Sequence, residues 1–184
     1  MGERAFGEIL NEKGAATMIF YHSIGFLHTL AASVALITGT AILFKKKGSS
    51  HHKLLGYTYV ASMIFTLASA FLIYDLFGSW GIFHWAALVG TFSLLSGFIP
   101  VVLKKPKKKW LNTHYQYMLW SYIGLVAAAF SEVGTRLPAI WPGLEDIFSI
   151  GYFWLATVVA STLVCCIGAY CIYGLKLGSP IKDK

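Results

Sequence analysis

Charge is what this sequence has least of. Asp, Glu, Lys and Arg make up only 12% of its 184 residues, about half of what a soluble domain carries. An ordinary solvated globular surface is therefore excluded. Cysteine is scarce as well. Cys165, Cys166 and Cys171 all fall in the last apolar run, no Cys-x-x-Cys occurs, and two neighbouring cysteines make poor disulfide partners. The thiols read as small packing residues. No His-x-x-x-His is present to build a helix-borne zinc hydrolase site, and there is neither a Gly-rich phosphate loop nor a nucleophile elbow. The first residues lack the basic region and small-residue cleavage site of a signal peptide, and Phe6 stands where a myristoylation start wants Ser or Thr.

What is present is apolar. The hydrophobic fraction is 57% and the mean hydropathy +0.64. Runs of roughly 20 apolar residues are the length a helix needs to cross a bilayer. They occur near 18–44, 54–77, 82–103, 113–131 and 148–174. The expected fold is an all-α integral membrane protein of five transmembrane helices, with a four-helix core bundle and a peripheral fifth helix. Residues 1–17 form an outer N-terminal segment, in which 6–13 suit a short interfacial helix. Residues 18–175 form a single membrane domain, and 176–184 a cytoplasmic tail.

The net charge of +7 is distributed by side rather than by patch. Lys45, Lys46, Lys47 and Lys53 flank the first loop, Lys104, Lys105, Lys107, Lys108 and Lys109 fill the third, and Lys176, Lys182 and Lys184 follow the last span. Seven of the eight acids, among them Asp75, Glu132, Glu145 and Asp146, fall on the other side. The positive-inside rule then places the N-terminus outside and the C-terminus in the cytoplasm of a cell (inner) membrane. Positive charge set out in this way orients a protein in the lipid bilayer and meets lipid headgroups; nucleic acid is not the implied partner.

Four histidines, His28, His52, His84 and His114, are spread one each over the first four apolar segments. An ionisable group inside a span is costly and marks a functional site by default. On a helix, residues three, four, seven or eleven apart stay within about 60° of one direction. His28 then shares its face with Ala31, Ala32, Ala35 and Gly39, a small-residue stripe of the kind that lets membrane helices approach. His52 aligns with Gly56, Tyr59 and Met63, His84 with Ala87, Thr91 and Leu95, and His114 with Ser121, Leu125 and Glu132. His22, six residues before His28, points about 120° away and reads as interfacial; His51 reads as a loop residue.

By depth the four form two pairs: His28/His84 in the outer half and His52/His114 at the cytoplasmic ends. Each pair joins alternate helices, which face each other across a four-helix bundle. Imidazoles so placed are candidate axial ligands for haem b or ligands for a metal. Two bis-histidine haems, one per leaflet, would carry electrons across the membrane, drawn from quinol or a partner redox subunit. Two other readings stand beside this one. A metal-handling or small-solute transporter would use His28, His52, His84, His114 and Glu132 as a polar path; an accessory subunit would use its Ala/Gly face for packing alone. Glu132 could join His84 and Asp75, or simply pair with Arg136 four residues on.

The stretch K-K-K-G-S-S-H-H-K-L-L-G-Y-T-Y, with His52, Lys53, Gly56 and Tyr59, resembles the His-[Arg/Lys]-x-x-Gly-x-x-Tyr signature of a bacterial family of predicted multi-pass membrane proteins of unknown function. The likeness extends to His28 and Gly39 upstream and to His114, Ser121, Tyr122 and Arg136 downstream, over roughly 25–137. Tyr57 stands where that pattern commonly has a basic residue. More distantly the chain is similar to the ascorbate-type dihaem cytochrome b membrane family. That similarity implies four haem ligands, His28, His52, His84 and His114, paired first with third and second with fourth. It departs from that family in having five spans instead of six and no substrate motif, and His22 fits the distance to the following loop better than His28.

Overall fold

The computed structural model describes residues 2–74, 79–105, 109–140 and 150–174, with side chains from Ser23 onward and, in the fourth helix, as far as Thr135. Five α-helices, and no strand, occur among the described residues: α1 (Gly2–Leu43), α2 (Ser50–Ala70), α3 (Ile82–Leu103), α4 (Trp110–Ile140) and α5 (Ile150–Ala169). The last continues as a π-helix, Tyr170–Gly174. The all-helical expectation holds. α1 is unbroken from Gly2, so 6–13 belong to the first long helix and are not a separate interfacial one.

Four segments are long and apolar enough to cross a membrane: Ser23–Leu43, Ile82–Leu103, Trp110–Thr135 and Gly151–Gly174. The expected second span is not among them. Its helix opens on Ser50, His51, His52 and Lys53 and ends at Ala70, so the apolar Phe71–Leu72–Ile73 that lengthens the run in sequence lies past the helix. The last turn of α2 closes on itself. Ser69 Oγ donates to the Phe65 and Thr66 carbonyls at 2.7 and 3.0 Å, and the Leu72 N–H turns back onto the Ser69 carbonyl at 2.9 Å. A side chain that bonds its own backbone competes with the helical ladder.

The turn between α1 and α2 is built from its sequence. Gly48 takes φ +78°, a left-handed conformation that glycine adopts without penalty. Ser49 caps α2 by accepting the His52 N–H at 3.2 Å. Lys47 Nζ folds back to donate to the Ile42 and Leu43 carbonyls at 3.0 and 3.2 Å, satisfying acceptors that the end of α1 leaves open.

Around the bundle, α1 packs chiefly on α2 and α3 chiefly on α4, with lighter α2–α3 and α1–α4 seams closing the ring. α5 packs on α4 from outside. Ser131 Oγ meets Ser161 Oγ at 3.1 Å and Tyr152 OH donates to the Gly134 carbonyl at 2.9 Å along that seam; hydroxyl bridges of this kind join helices in lipid. The core holds Ala35, Tyr59, Val60, Met63, Leu94 and Leu125. Buried positions also include Thr38, Thr66, Ser69, His84, Ser121 and Ser131, while Phe26, Ile37, Val89, Phe92, Phe130 and Leu155 are exposed. Apolar surface outside and hydroxyls within is the reverse of a water-soluble bundle and suits a lipid surround.

Candidate functional site

The basic end of the bundle brings His52 and His114 together. They come from α2 and α4, helices that run in the same direction on opposite sides of the ring. Their ring centroids are 6.5 Å apart with planes at 86°. Seven residues further along each helix, Tyr59 OH and Ser121 Oγ meet at 3.0 Å in the core. Seven residues is two helical turns, about 10.5 Å, so the two contacts stand on one face at the same register. Met63 and Leu125, four residues further on in each helix, both lie in the hydrophobic core.

Two glycines make the approach possible. A Cβ on Gly97 would stand 2.9 Å from the backbone nitrogen of Met118, so only glycine lets α3 and α4 come this close. That closeness sets the Gly97 carbonyl 2.9 Å from His114 Nδ1. A carbonyl only accepts, so Nδ1 carries the proton and Nε2 keeps its lone pair. A Cβ on Gly39 would fall 2.5 Å from the Tyr122 ring and 3.1 Å from Tyr59. Beside it Thr40 Oγ1 and Tyr122 OH are hydrogen-bonded at 2.6 Å. Gly39, Tyr59, Ser121 and Tyr122, distant in sequence, thus form one layer directly above the histidine pair.

His52 precedes the apolar stretch that begins at Leu54. Its basicity is lowered first by burial and then by the charges of Lys47 and His114. A neutral imidazole with an available lone pair is favoured there. Its Nδ1 is buried and has no hydrogen-bond partner. Burial also lowers the Lys47 ammonium's pKa. His51 is exposed.

The opposite end treats its histidines differently. His28 Nδ1 lies 2.9 Å from Ser69 Oγ, whose own proton is already given to backbone carbonyls; His28 therefore donates through Nδ1. His84 is 4% exposed, held between the rings of Tyr74 and Trp80 at 4.6 and 4.9 Å. The Gly81 N–H donates to His84 Nδ1 at 3.1 Å, which places the His84 proton on Nε2, a buried atom with no partner. His28 thus offers a lone pair, and His84 an N–H. The two imidazoles at this end present one acceptor and one donor, because the cap of α3 fixes the His84 tautomer. Asp75 and the side chains of His22 and Arg136 lie outside the described residues.

Among the described residues no three His, Cys, Asp or Glu side chains gather as metal ligands do, so the chemistry open at the basic end is that of a two-imidazole site. A sequence reading could have found the Tyr74–Trp80 clamp from the aromatics flanking Gly81. It had no signal for Gly97, an unremarkable glycine in an apolar run.

The sequence profile of DUF2306, described as a predicted membrane protein, matches residues 25–172. The chain belongs to this family. The DUF2306 match takes in all four span histidines and continues past residue 137 through α5 into the π-helix, so the last helix is part of the shared unit. No curated protein and no solved structure matches the chain.

Proposed function

We propose that this DUF2306 protein is a membrane electron carrier that holds a b-type haem between His52 and His114. The observation that carries this reading is the His52–His114 pair, 6.5 Å between ring centroids. Imidazole nitrogens sit about 2 Å from a bound metal, so two rings on opposite sides of one ion have centroids about 6 Å apart. Nδ1–H of His114 on a backbone carbonyl is how ligand histidines are oriented and made more basic, and His52 supplies a buried nitrogen without a partner. Haem, when bound, supplies reversible one-electron transfer. The chain's own part is to leave a lone pair on each imidazole, fix the direction of His114 through the Gly97 carbonyl, and back the pair with the Gly39–Tyr59–Ser121–Tyr122 layer.

In this reading α2, with the residues that follow it, completes a fifth span packed among its neighbours. The lysine loops face the cytoplasm of an inner membrane and the N-terminus lies outside. Electrons come from a quinol or a redox subunit. The test is a pyridine haemochrome assay on detergent-purified protein from haem-replete cells, with one haem per chain expected and none contradicting the proposal.

At the other end, the hydrogen bond between His28 and Ser69 favours a second reading, a proton or small-solute path through His28 and Ser69 with Glu132. Flux into proteoliposomes that falls with His28→Ala and Glu132→Gln would support it; unchanged flux would sink it.

A further inference from the structure

A cleft of about 290 Å³ opens between α4 and the π-helix, lined by Gln116, Tyr117, Trp120 and Tyr173. It is distinct from the histidine pair, though Gln116 is two residues from His114. Three features make it a site for a ring with polar edges. Trp120 Nε1 donates to Tyr173 OH at 3.2 Å, so the phenol oxygen accepts there and its own proton is available to a ligand. Gln116 Oε1 is buried with no hydrogen-bond partner, and the broad last torsion of a glutamine can turn that amide into the cleft. The π-helix places Tyr173, and such wide turns are frequent at functional sites. Gln116 lies six residues into α4, about 9 Å beyond its start beside the lysine loop, near the boundary where amphipathic ring compounds rest in a bilayer.

We propose that this cleft binds the headgroup of a membrane-soluble hydroquinone. One hydroxyl of the ligand donates to Gln116 Oε1, the oxygen at the far side of the ring accepts from Tyr173 OH, and the ring packs against Tyr117 and Trp120. An acyl chain would use neither polar group. Gln116 carries an acceptor oxygen and a donor NH2 on one rotatable amide, so the same cleft also accommodates the oxidised quinone. The electron-carrier reading explains why a hydroquinone would come here; the cleft's ability to hold one does not depend on it.

The test is photolabelling of nanodisc-embedded protein with a reduced azido-benzoquinone probe, mapped by mass spectrometry and competed with decylubiquinol or decylubiquinone. Labelling within 116–120 and 170–174 is expected, with both decylubiquinol and decylubiquinone competing. Gln116→Leu and Tyr173→Phe should each weaken labelling about tenfold, the worth of one hydrogen bond, while melting as the wild type does. The His52→Ala/His114→Ala double variant should label normally, so a missing haem and a missing hydroquinone site give different results. Label spread along the lipid-facing helices, competition by neither redox form, or labelling indifferent to both cleft substitutions would overturn the proposal.

Discussion

The two ends of this bundle use the same residue type to opposite effect. At the basic end His114 gives its Nδ1 proton to the Gly97 carbonyl and keeps a lone pair on Nε2. At the other end His84 spends its Nδ1 lone pair on the Gly81 N–H and keeps a proton on Nε2. What decides whether Nε2 keeps a lone pair or a proton is which backbone group lies beside Nδ1: a carbonyl exposed by a close helix crossing, or a free amide at a helix start. A histidine's position in a span identifies it as notable; its neighbour on the backbone sets its chemistry.

The largest break in that comparison comes from exchanging the ends. His114→Ala should reduce haem retention by more than about 100-fold, beyond the loss from removing a group that only orients a ligand; His84→Ala should leave it near the wild-type value. Haem content per purified chain decides. Next is Gly97→Ala, whose new methyl meets the Met118 backbone. It should cost about 1–3 kcal/mol, as overpacking does, and should weaken haem binding as well, because the helix crossing positions the carbonyl that orients His114. Thermal melting and haem titration read the two effects. Tyr59→Phe strands Ser121 Oγ in the core and should cost about 1 kcal/mol, with little change in haem affinity. The smallest effect is on pH dependence. The Lys47 charge helps to hold His52 below its ordinary value. Lys47→Met removes that push, so His52 takes up its proton at higher pH, and the acid release of haem should move to higher pH, followed by Soret absorbance.

Much of this was legible from patterns of residues. The third span coincides with α3 at Ile82–Leu103, because Gly81 at one end and a lysine run at the other bound an unbroken apolar stretch. The pairing of His52 with His114 was legible from alternating helices at equal depth. The end of α2 was not, because the apolar run continues through Phe71–Leu72–Ile73 while the helix stops at Ala70. Nor was the different character of His84, since a tautomer is set by a partner at hydrogen-bond distance and not by spacing. The motif residues Gly39, Tyr59, Ser121 and Tyr122 carried a resemblance in sequence. Only the folded chain gives them a common purpose, a tight layer in which Gly39 leaves room for the rings of Tyr59 and Tyr122 against α1.

The most direct test of the account is the dithionite-reduced minus oxidised visible spectrum of the purified protein alongside His28→Ala, His52→Ala, His84→Ala and His114→Ala. The account predicts a sharp b-type band in the wild type that persists in His28→Ala and His84→Ala and vanishes in His52→Ala and His114→Ala. A colourless wild-type protein from haem-replete cells, or a band that survives loss of His114 and disappears with His84, would contradict it.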